Sequence, residues 1–201
     1  MTAIEALTLE VPDPEAAATF YKAAFGLGDL VRVRAGDTPT EGFRGFTVSL
    51  VVSQPSTVDS LVESALAAGA TALKPPTKNF WGFGGVVQAP DGAIWKLATS
   101  AKKDTRPANR EVDDVVLLLG VADVKASKRF YVDRGLGVGK SFGSKYVELE
   151  TGNRVKLALY PRRSLAKDAG VDEAGTGSHR LVIGGDAGSF TDPDGFDWET
   201  A

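Results

Sequence analysis

The sequence contains no cysteine, and only one histidine and one methionine, among its 201 residues. Without cysteine the chain forms no disulfide, thiolate zinc site, iron–sulfur cluster or cysteine nucleophile. A single histidine excludes every metal site that needs two histidines from one chain. The rest of the composition, with 43% hydrophobic and 24% charged residues, is that of an ordinary globular protein.

An excess of basic residues and a long apolar run are also absent. The 23 Lys and Arg residues against 26 Asp and Glu give a net charge of −3, which disfavours a nucleic-acid partner because a polyanion binds a basic face. No stretch approaches the roughly 18 apolar residues of a membrane-spanning helix. The opening residues, Met-Thr-Ala-Ile-Glu, lack the pattern of a secretory signal. We therefore expect a cytoplasmic protein, without a membrane partner, that acts on or binds a small molecule.

Two local patterns occur twice, in the same order along the chain. Residues 7–21 read LTLEVPDPEAAATFY and residues 117–131 read LLLGVADVKASKRFY, with an aspartate seven residues before Phe-Tyr in both. Further on, Pro-Asp-Gly is followed by a tryptophan three residues after the glycine, at Trp95 and again at Trp198. The repetition of both patterns indicates an internal duplication.

The duplication divides the chain into three parts. We predict a first domain over residues 1–100, a polar linker over 101–113 and a second domain over 114–201. The second domain is expected to lack one helix. Gly-Gly-Asp-Ala-Gly stands at residues 184–188, in the place where the first domain has the predicted helix 55–68.

Hydrophobic alternation and capping residues predict the individual elements. Leu7, Leu9 and Val11 alternate with polar residues, which indicates a half-buried strand with these three side chains toward the next helix. Asp13 is the expected cap of that helix, and Asp123 caps its counterpart. The predicted helices are 14–25, 55–68 and about 124–134; the predicted strands are 4–11, 45–52, 85–89, 93–99, 115–121, 145–150, 154–160, 179–183, 188–192 and 196–200; residues 161–177 are predicted as a polar segment.

The order of these motifs resembles the vicinal oxygen chelate superfamily. The motifs are a strand, an Asp-capped helix ending in Phe-Tyr, a Gly-Leu-Gly and a late Pro-Asp-Gly-x-x-Trp hairpin, and they cover nearly the whole chain twice. The superfamily includes glyoxalase I, extradiol dioxygenases, fosfomycin-resistance proteins and bleomycin-binding proteins. The resemblance implies an α+β fold of tandem βαβββ modules, whose curved mixed sheets enclose a cavity. It leaves function open, because lyases, dioxygenases, transferases and non-catalytic binders share this fold.

The resemblance also implies where a catalytic metal would be held. Catalytic members use a His or Gln on the first strand, a His or Glu on a middle strand and a Glu on the last strand. The first-strand position corresponds to Ala6 and Val116 here, and neither side chain can coordinate a metal. The last-strand position corresponds to Lys96 and Glu199. We therefore expect no metal and no other cofactor in the native protein.

If a divalent metal binds at all, the second half is the expected place. His179 opens a predicted strand in a context that resembles the middle-strand ligand of the family, and Glu199 would be the second ligand. A partner subunit or Asp114 would have to provide the third, since two protein ligands rarely hold an ion.

The candidate ligand-binding residues are Phe80, Trp81 and Phe83 in one loop, Thr8 and Glu10 on one strand, and Lys96 on another. Phe80, Trp81 and Phe83 stand in a glycine-rich loop, either as an aromatic wall against a ligand or as core beneath the hairpin. Strand alternation places Thr8 and Glu10 on the concave side of the sheet, and these two are predicted to line the cavity as well.

Strand alternation also places Lys96 on the concave side. A buried ammonium needs a partner, so we expect Lys96 either to pair with a carboxylate or to reach the solvated mouth of the cavity. Glu10 is the nearest candidate carboxylate by strand parity. A solvated lysine on an edge strand is an equally open alternative.

Three functions from different classes remain open. The first is a small-molecule-binding protein of the bleomycin-resistance type, without a metal, that holds its ligand in the sheet cavity. The second is a lyase or isomerase of the glyoxalase type, using a metal at His179 and Glu199 or metal-free catalysis by Lys96. The third is a structural or regulatory module that has lost ligand binding. A homodimer is open in each case.

Overall fold

A computed structural model describes residues 2–153 and 155–201, which contain four α-helices and 15 strands. The helices are α1 (Pro14–Ala24), α2 (Pro55–Ala67), α3 (Val124–Val132) and α4 (Arg162–Ala169). The strands are β1 (Ile4–Val11), β2 (Val31–Ala35), β3 (Thr40–Gly42), β4 (Phe46–Val51), β5 (Thr71–Asn79), β6 (Gly82–Gln88), β7 (Ile94–Thr99), β8 (Asp114–Val121), β9 (Gly137–Ser141), β10 (Val147–Glu150), β11 (Val155–Pro161), β12 (Gly175–Gly177), β13 (Leu181–Gly185), β14 (Phe190–Thr191) and β15 (Asp197–Thr200). Arg154, in the predicted strand 154–160, lies outside the described residues.

Two large mixed sheets organise the fold. The eight-stranded sheet has the order β5-β6-β7-β4-β8-β11-β10-β9, and the five-stranded sheet has the order β14-β15-β13-β1-β2. Strands β3 and β12 form a separate pair. Each large sheet joins both halves of the chain, since β4 pairs antiparallel with β8 and β1 pairs antiparallel with β13. This α+β architecture confirms the predicted fold class.

The predicted capping aspartates begin both equivalent helices. Asp13 Oδ1 accepts a hydrogen bond from the backbone N–H of Ala16 at 3.0 Å. Asp123 Oδ1 accepts from the backbone N–H groups of Lys125 and Ala126 at 2.8 and 3.1 Å. Each carboxylate thus satisfies N–H groups that have no partner within the first turn of a helix. Helix α1 ends one residue before its predicted end, and β1 has the predicted bounds.

A tyrosine ties each of these helices to a Pro-Asp-Gly hairpin. The Tyr21 hydroxyl donates to Asp91 Oδ2 at 2.6 Å, and the Tyr131 hydroxyl donates to Asp192 Oδ2 at 2.6 Å. Both tyrosine rings also pack beside the tryptophan that follows the hairpin turn, at centroid distances of 5.3 and 5.7 Å. In both halves, therefore, equivalent tyrosine contacts hold the helix against the hairpin.

One face of each large sheet packs into a single hydrophobic core. Leu7, Leu9 and Val11 of the five-stranded sheet enter it, on the side predicted, and Leu50 and Leu117 enter it from the eight-stranded sheet. Helices α1, α2 and α3 complete this main core. None of the helices in the described part of the chain is long and apolar enough to cross a membrane.

The opposite face of the eight-stranded sheet, called the outer face below, is partly covered by α4. The sequence predicts only a polar segment over 161–177, and this prediction is wrong for α4. Three residues of the helix, Leu165, Ala166 and Ala169, are buried against the outer face. They form a second, smaller core with Phe43, Val86 and Ile94. Burial of this narrow apolar stripe stabilises the helix on the sheet.

The predicted linker is bound to the N-terminal end of α2. The buried side chain of Gln54 donates to the carbonyls of Arg106 and Pro107 at 2.9 and 3.1 Å. The same side chain accepts from the backbone N–H groups of Thr105 and Arg106, each at 3.2 Å. One glutamine therefore fixes the middle of this segment through four hydrogen bonds.

Candidate functional site

Four side chains form one row across the middle of the outer face. The strand register places Ser49 beside Lys96 on one side and beside Val116 on the other, and Val116 beside Lys156. Lys96 and Val116 are the positions that the resemblance assigns to metal ligands. The row instead holds two ammonium groups, a hydroxyl and an aliphatic side chain.

Each ammonium in the row has its own carboxylate. Lys96 Nζ lies 2.6 Å from Asp168 Oδ2, which comes from α4, and Lys156 Nζ lies 2.8 Å from Asp114 Oδ2. The prediction of Glu10 as the partner of Lys96 is wrong. Glu10 lies on the five-stranded sheet. The main core lies between that sheet and the outer face, which carries Lys96.

A cavity of 580 Å³ opens beside α4 on the outer face. Its apolar lining includes Val51, Val86, Ala98, Trp81 and Phe83. Three charged residues, Lys74, Lys96 and Asp168, line the same cavity. A cavity of this size, with an apolar lining and a few convergent polar groups, has the usual form of a small-molecule site.

The second lysine of the cavity holds the end of α4. Lys74 Nζ donates to the carbonyl oxygens of Lys167 and Asp168 at 2.9 and 2.7 Å. These carbonyls belong to the last turn, where helix carbonyls lack partners within the helix and a cation is favourable. Gly170 ends the helix in the left-handed conformation, with φ of 82°. The position of Asp168 over the sheet is thereby fixed by its backbone as well as by its side chain.

The predicted aromatic residues divide between the cavity and the core. Trp81 lines the cavity and is 82% exposed, so it stands at the mouth. Phe80 is 83% exposed and packs edge-on against Trp81, with ring centroids 5.0 Å apart. Phe83 borders the cavity and also packs against the main core. The core interpretation therefore applies to Phe83, whereas Phe80 and Trp81 lie outside the core.

The remaining two predicted ligand-binding residues lie away from this cavity. Thr8 and Glu10 are on β1 in the five-stranded sheet. Arg34 on the neighbouring β2 binds Glu10 at 2.8 Å and also donates to both carboxylate oxygens of Glu199, at 3.0 and 3.1 Å. The hydrogen bonds that Arg34 donates to Glu10 and, to a smaller extent, to Glu199 raise the pKa of Arg34. Glu10 and Glu199 are thus held by one guanidinium.

His179 makes backbone contacts through both ring nitrogens. Nδ1 lies 2.5 Å from the carbonyl oxygen of Arg44, and Nε2 lies 3.0 Å from the carbonyl oxygen of Asp194. The ring stacks on Phe196, with centroids 3.9 Å apart. The histidine therefore joins the start of β4 to the second Pro-Asp-Gly hairpin.

The structure does not bring His179 and Glu199 together. Glu199 pairs in register with Gly184, near the far end of β13, whereas His179 precedes that strand, which begins at Leu181. The next residue in the row on the neighbouring strand is Ala6. This row therefore offers one carboxylate, and that carboxylate is bound by Arg34.

The residues at the family's metal positions do not fit a divalent cation. Two are aliphatic, one is a lysine, the glutamate is paired with an arginine, and both ring nitrogens of His179 face backbone carbonyls. Within residues 2–153 and 155–201, no three His, Cys, Asp or Glu side chains are grouped so that they could hold a metal ion. No chemical step through a metal follows from this arrangement.

Comparison with known proteins establishes the fold. No protein-family model matches the chain, and no curated protein sequence matches it significantly. The crystal structure of glyoxalase I from Zea mays is similar over 98% of this chain and 91% of that one, with a TM-score of 0.64 and 15% identity. This chain has the glyoxalase fold. A putative dioxygenase from Bacillus subtilis shares the glyoxalase fold over 90% of this chain and 69% of its own, with a TM-score of 0.54 and 11% identity.

A larger groove lies elsewhere on this glyoxalase fold. It has a volume of 760 Å³ and runs along α1, next to Pro90 and Asp91. None of the predicted ligand-binding residues lines it, and its charged lining residues are all carboxylates. We place the candidate site in the smaller cavity, because that one combines an aromatic mouth with charges of both signs.

The contacts of His179 predict a structural role with a measurable cost. Replacing His179 by alanine is expected to lower the free energy of unfolding by about 1–3 kcal/mol, because a backbone carbonyl loses its hydrogen-bond donor and Phe196 loses the ring stacked on it. Urea unfolding followed by circular dichroism measures the change. Lys125→Ala, at an exposed position of α3, serves as the control and is expected to stay within about 0.5 kcal/mol of the parent. An unchanged stability for His179→Ala would contradict the structural role.

Proposed function

We propose that the chain is a small-molecule-binding protein that holds its ligand in the cavity beside α4, without a metal at the positions used in the family. The observation that carries this proposal is the cavity itself. It opens on the outer face of the eight-stranded sheet, with Trp81 at its mouth and Lys96 inside it. The glyoxalase fold supports the proposal. Lys96 stands where the resemblance places a metal ligand, and the same residue lines the cavity.

The lining of the cavity favours a ligand with a flat apolar body. Val51, Val86 and Ala98 provide aliphatic surface, and the indole of Trp81 provides an exposed ring at the edge. Aromatic side chains stack well on planar ligands, and a pair of rings gains about 0.5–1.5 kcal/mol beyond the area that it buries. The exposed indole is therefore explained as part of a binding surface.

A second candidate function is a metal-free lyase or isomerase of the glyoxalase type. The observation that favours it is the Lys96–Asp168 pair, which places an ammonium and a carboxylate 2.6 Å apart at the cavity. Such a pair offers one proton donor and one acceptor for general acid–base chemistry. Turnover of a hemithioacetal would support this candidate, provided that the activity is lost in Lys96→Met and is insensitive to metal chelators.

A neutral aromatic dye tests the proposed binding. N-phenyl-1-naphthylamine, which fluoresces in apolar surroundings, is expected to bind the folded protein, and Trp81→Ala is expected to weaken this binding about tenfold. Phe80→Ala is a matched control, because Phe80 is equally exposed and lies next to Trp81 but does not line the cavity. Equal losses in both variants, or no binding to the parent protein, would contradict the proposal.

A further inference from the structure

We propose that the ligand of this cavity carries an anionic group, and that this group replaces the carboxylate of Asp168 on the ammonium of Lys96. The inference rests on the proposed function and adds the chemical class of the ligand. When no ligand is bound, the carboxylate of Asp168 would take the place of the ligand's anionic group beside Lys96.

The charges at the cavity favour an anion. Two lysines, Lys74 and Lys96, line the cavity, and Asp168 is the single carboxylate among its lining residues. Lys74 is engaged with backbone carbonyls, which leave its positive charge uncompensated. When the Asp168 side chain turns away, both positive charges act on the cavity. A neutral or cationic ligand gains nothing from this arrangement, whereas an anion is attracted by both lysines.

The ion pair between Lys96 and Asp168 is weak enough to be exchanged. The side chain of Lys96 is 34% exposed and that of Asp168 is 43% exposed, and partly exposed pairs contribute little to stability because water screens them. A ligand whose apolar body covers the cavity removes that water, so its own anionic group interacts more strongly with Lys96. The exchange moves one side chain and leaves α4 in place.

The second ion pair of the row provides a comparison on the same face. Lys156 and Asp114 lie 2.8 Å apart, with side chains 40% and 36% exposed, which closely matches the other pair. Both residues belong to strands of the sheet, and neither lines the cavity. Only the carboxylate of Asp168 comes from a helix that lies over the sheet, next to an open volume. The two pairs are therefore alike in distance and exposure and differ in whether they border the cavity.

Two dyes of the same ring system test the inference. 8-Anilinonaphthalene-1-sulfonate differs from N-phenyl-1-naphthylamine by one sulfonate, so the ratio of their affinities reports the anionic group alone. Asp168→Asn is expected to raise this ratio about fivefold, because it removes the competing carboxylate. Lys96→Met is expected to lower the ratio about tenfold, because it removes the ammonium. Lys156→Met and Asp114→Asn are expected to change the ratio by less than about twofold.

The outcomes separate this inference from the proposed function. If the neutral dye binds and the ratio is the same in Asp168→Asn, Lys96→Met and the parent protein, the anionic ligand is refuted while the cavity proposal stands. If neither dye binds the parent protein, the proposed function itself fails. Near-ultraviolet circular dichroism of Asp168→Asn must match that of the parent protein, because a loosened structure also binds the anionic dye. A ratio that rises equally in Asp114→Asn would refute the role of Asp168.

Discussion

Replacing Trp198 by alanine is expected to lower the free energy of unfolding by about 3–5 kcal/mol. The indole is 2% exposed and lies in the main core, stacked on Phe190 at a centroid distance of 5.3 Å. Its Nε1 donates to the Tyr131 hydroxyl at 3.3 Å, so truncation removes a hydrogen bond as well as packing. Urea unfolding followed by far-ultraviolet circular dichroism measures the loss, which is a large fraction of the about 5–15 kcal/mol of a typical domain.

The other two tryptophans provide the comparison. Trp95 is fully buried at the equivalent place in the first half, and Trp95→Ala is expected to cost about the same as Trp198→Ala. Trp81 is 82% exposed, and Trp81→Ala is expected to change stability by less than about 0.5 kcal/mol. A large loss in only one of the two buried positions would contradict an equivalent role of the two hairpins.

The tyrosines are expected to stay protonated at high pH until the protein unfolds. Burial raises the pKa of Tyr21 well above its ordinary value, and the negative charge of Asp91 raises it further. Burial and then the charge of Asp192 do the same to the pKa of Tyr131. The pKa values of the other two tyrosines in the sequence, Tyr146 and Tyr160, are raised as well, again mainly by burial.

These raised pKa values make stability fall in alkali. An unfolded tyrosine releases its proton near pH 10, whereas the folded side chain keeps it, so the unfolded state binds fewer protons above that pH. Stability is therefore complete below about pH 10 and is lost above it, by about 1.4 kcal/mol per pH unit for each of Tyr21 and Tyr131.

Tyrosinate absorbance and circular dichroism, recorded in one alkaline titration, measure this coupling. The two signals are expected to change together, at a pH above the ordinary tyrosine range. Tyr21→Phe and Tyr131→Phe are each expected to reduce the pH dependence of stability by about one proton. Ionisation of Tyr21 or Tyr131 near pH 10 in a protein with a native dichroism spectrum would contradict the prediction.

The repeated elements could be predicted because their signals are local. From Leu7 to Val11 the burial of β1 alternates every second residue, and Asp13 stands directly before the helix that it caps. The same pattern around Asp123 predicted its counterpart. Pro-Asp-Gly fixes the hairpins in a similar way, since the turn and its two strands are contiguous in sequence.

Helix α4 and the partner of Lys96 could not be predicted in this way. The helix has eight residues, of which three are buried and the other five are polar, so its composition resembles that of a polar loop. It is stabilised by packing on the outer face and by Lys74, which is 93 residues away from Lys167 in the sequence. Asp168 reaches Lys96 only because the helix lies there. Strand parity alone therefore pointed to Glu10, which belongs to the other sheet.

The role of His179 was hidden for a different reason. Its residue type and its position before a strand are those of a metal ligand, whereas its partners are the backbone carbonyls of Arg44 and Asp194. A sequence does not indicate which carbonyl groups a ring will meet. The register between β13 and β15, which separates His179 from Glu199, is likewise a tertiary property.

The pairing of β1 with β13 has a consequence for the order of folding during synthesis. About 170 residues separate the two strands along the chain, whereas the eight-stranded sheet is built entirely from residues 46–161. A ribosome that adds about 5–20 residues per second leaves one edge of β1 without its partner for roughly 10–30 s. During that time the larger sheet can form first, and the open edge of β1 is a template for pairing with other chains. The nascent protein is therefore most exposed to aggregation just before β13 emerges.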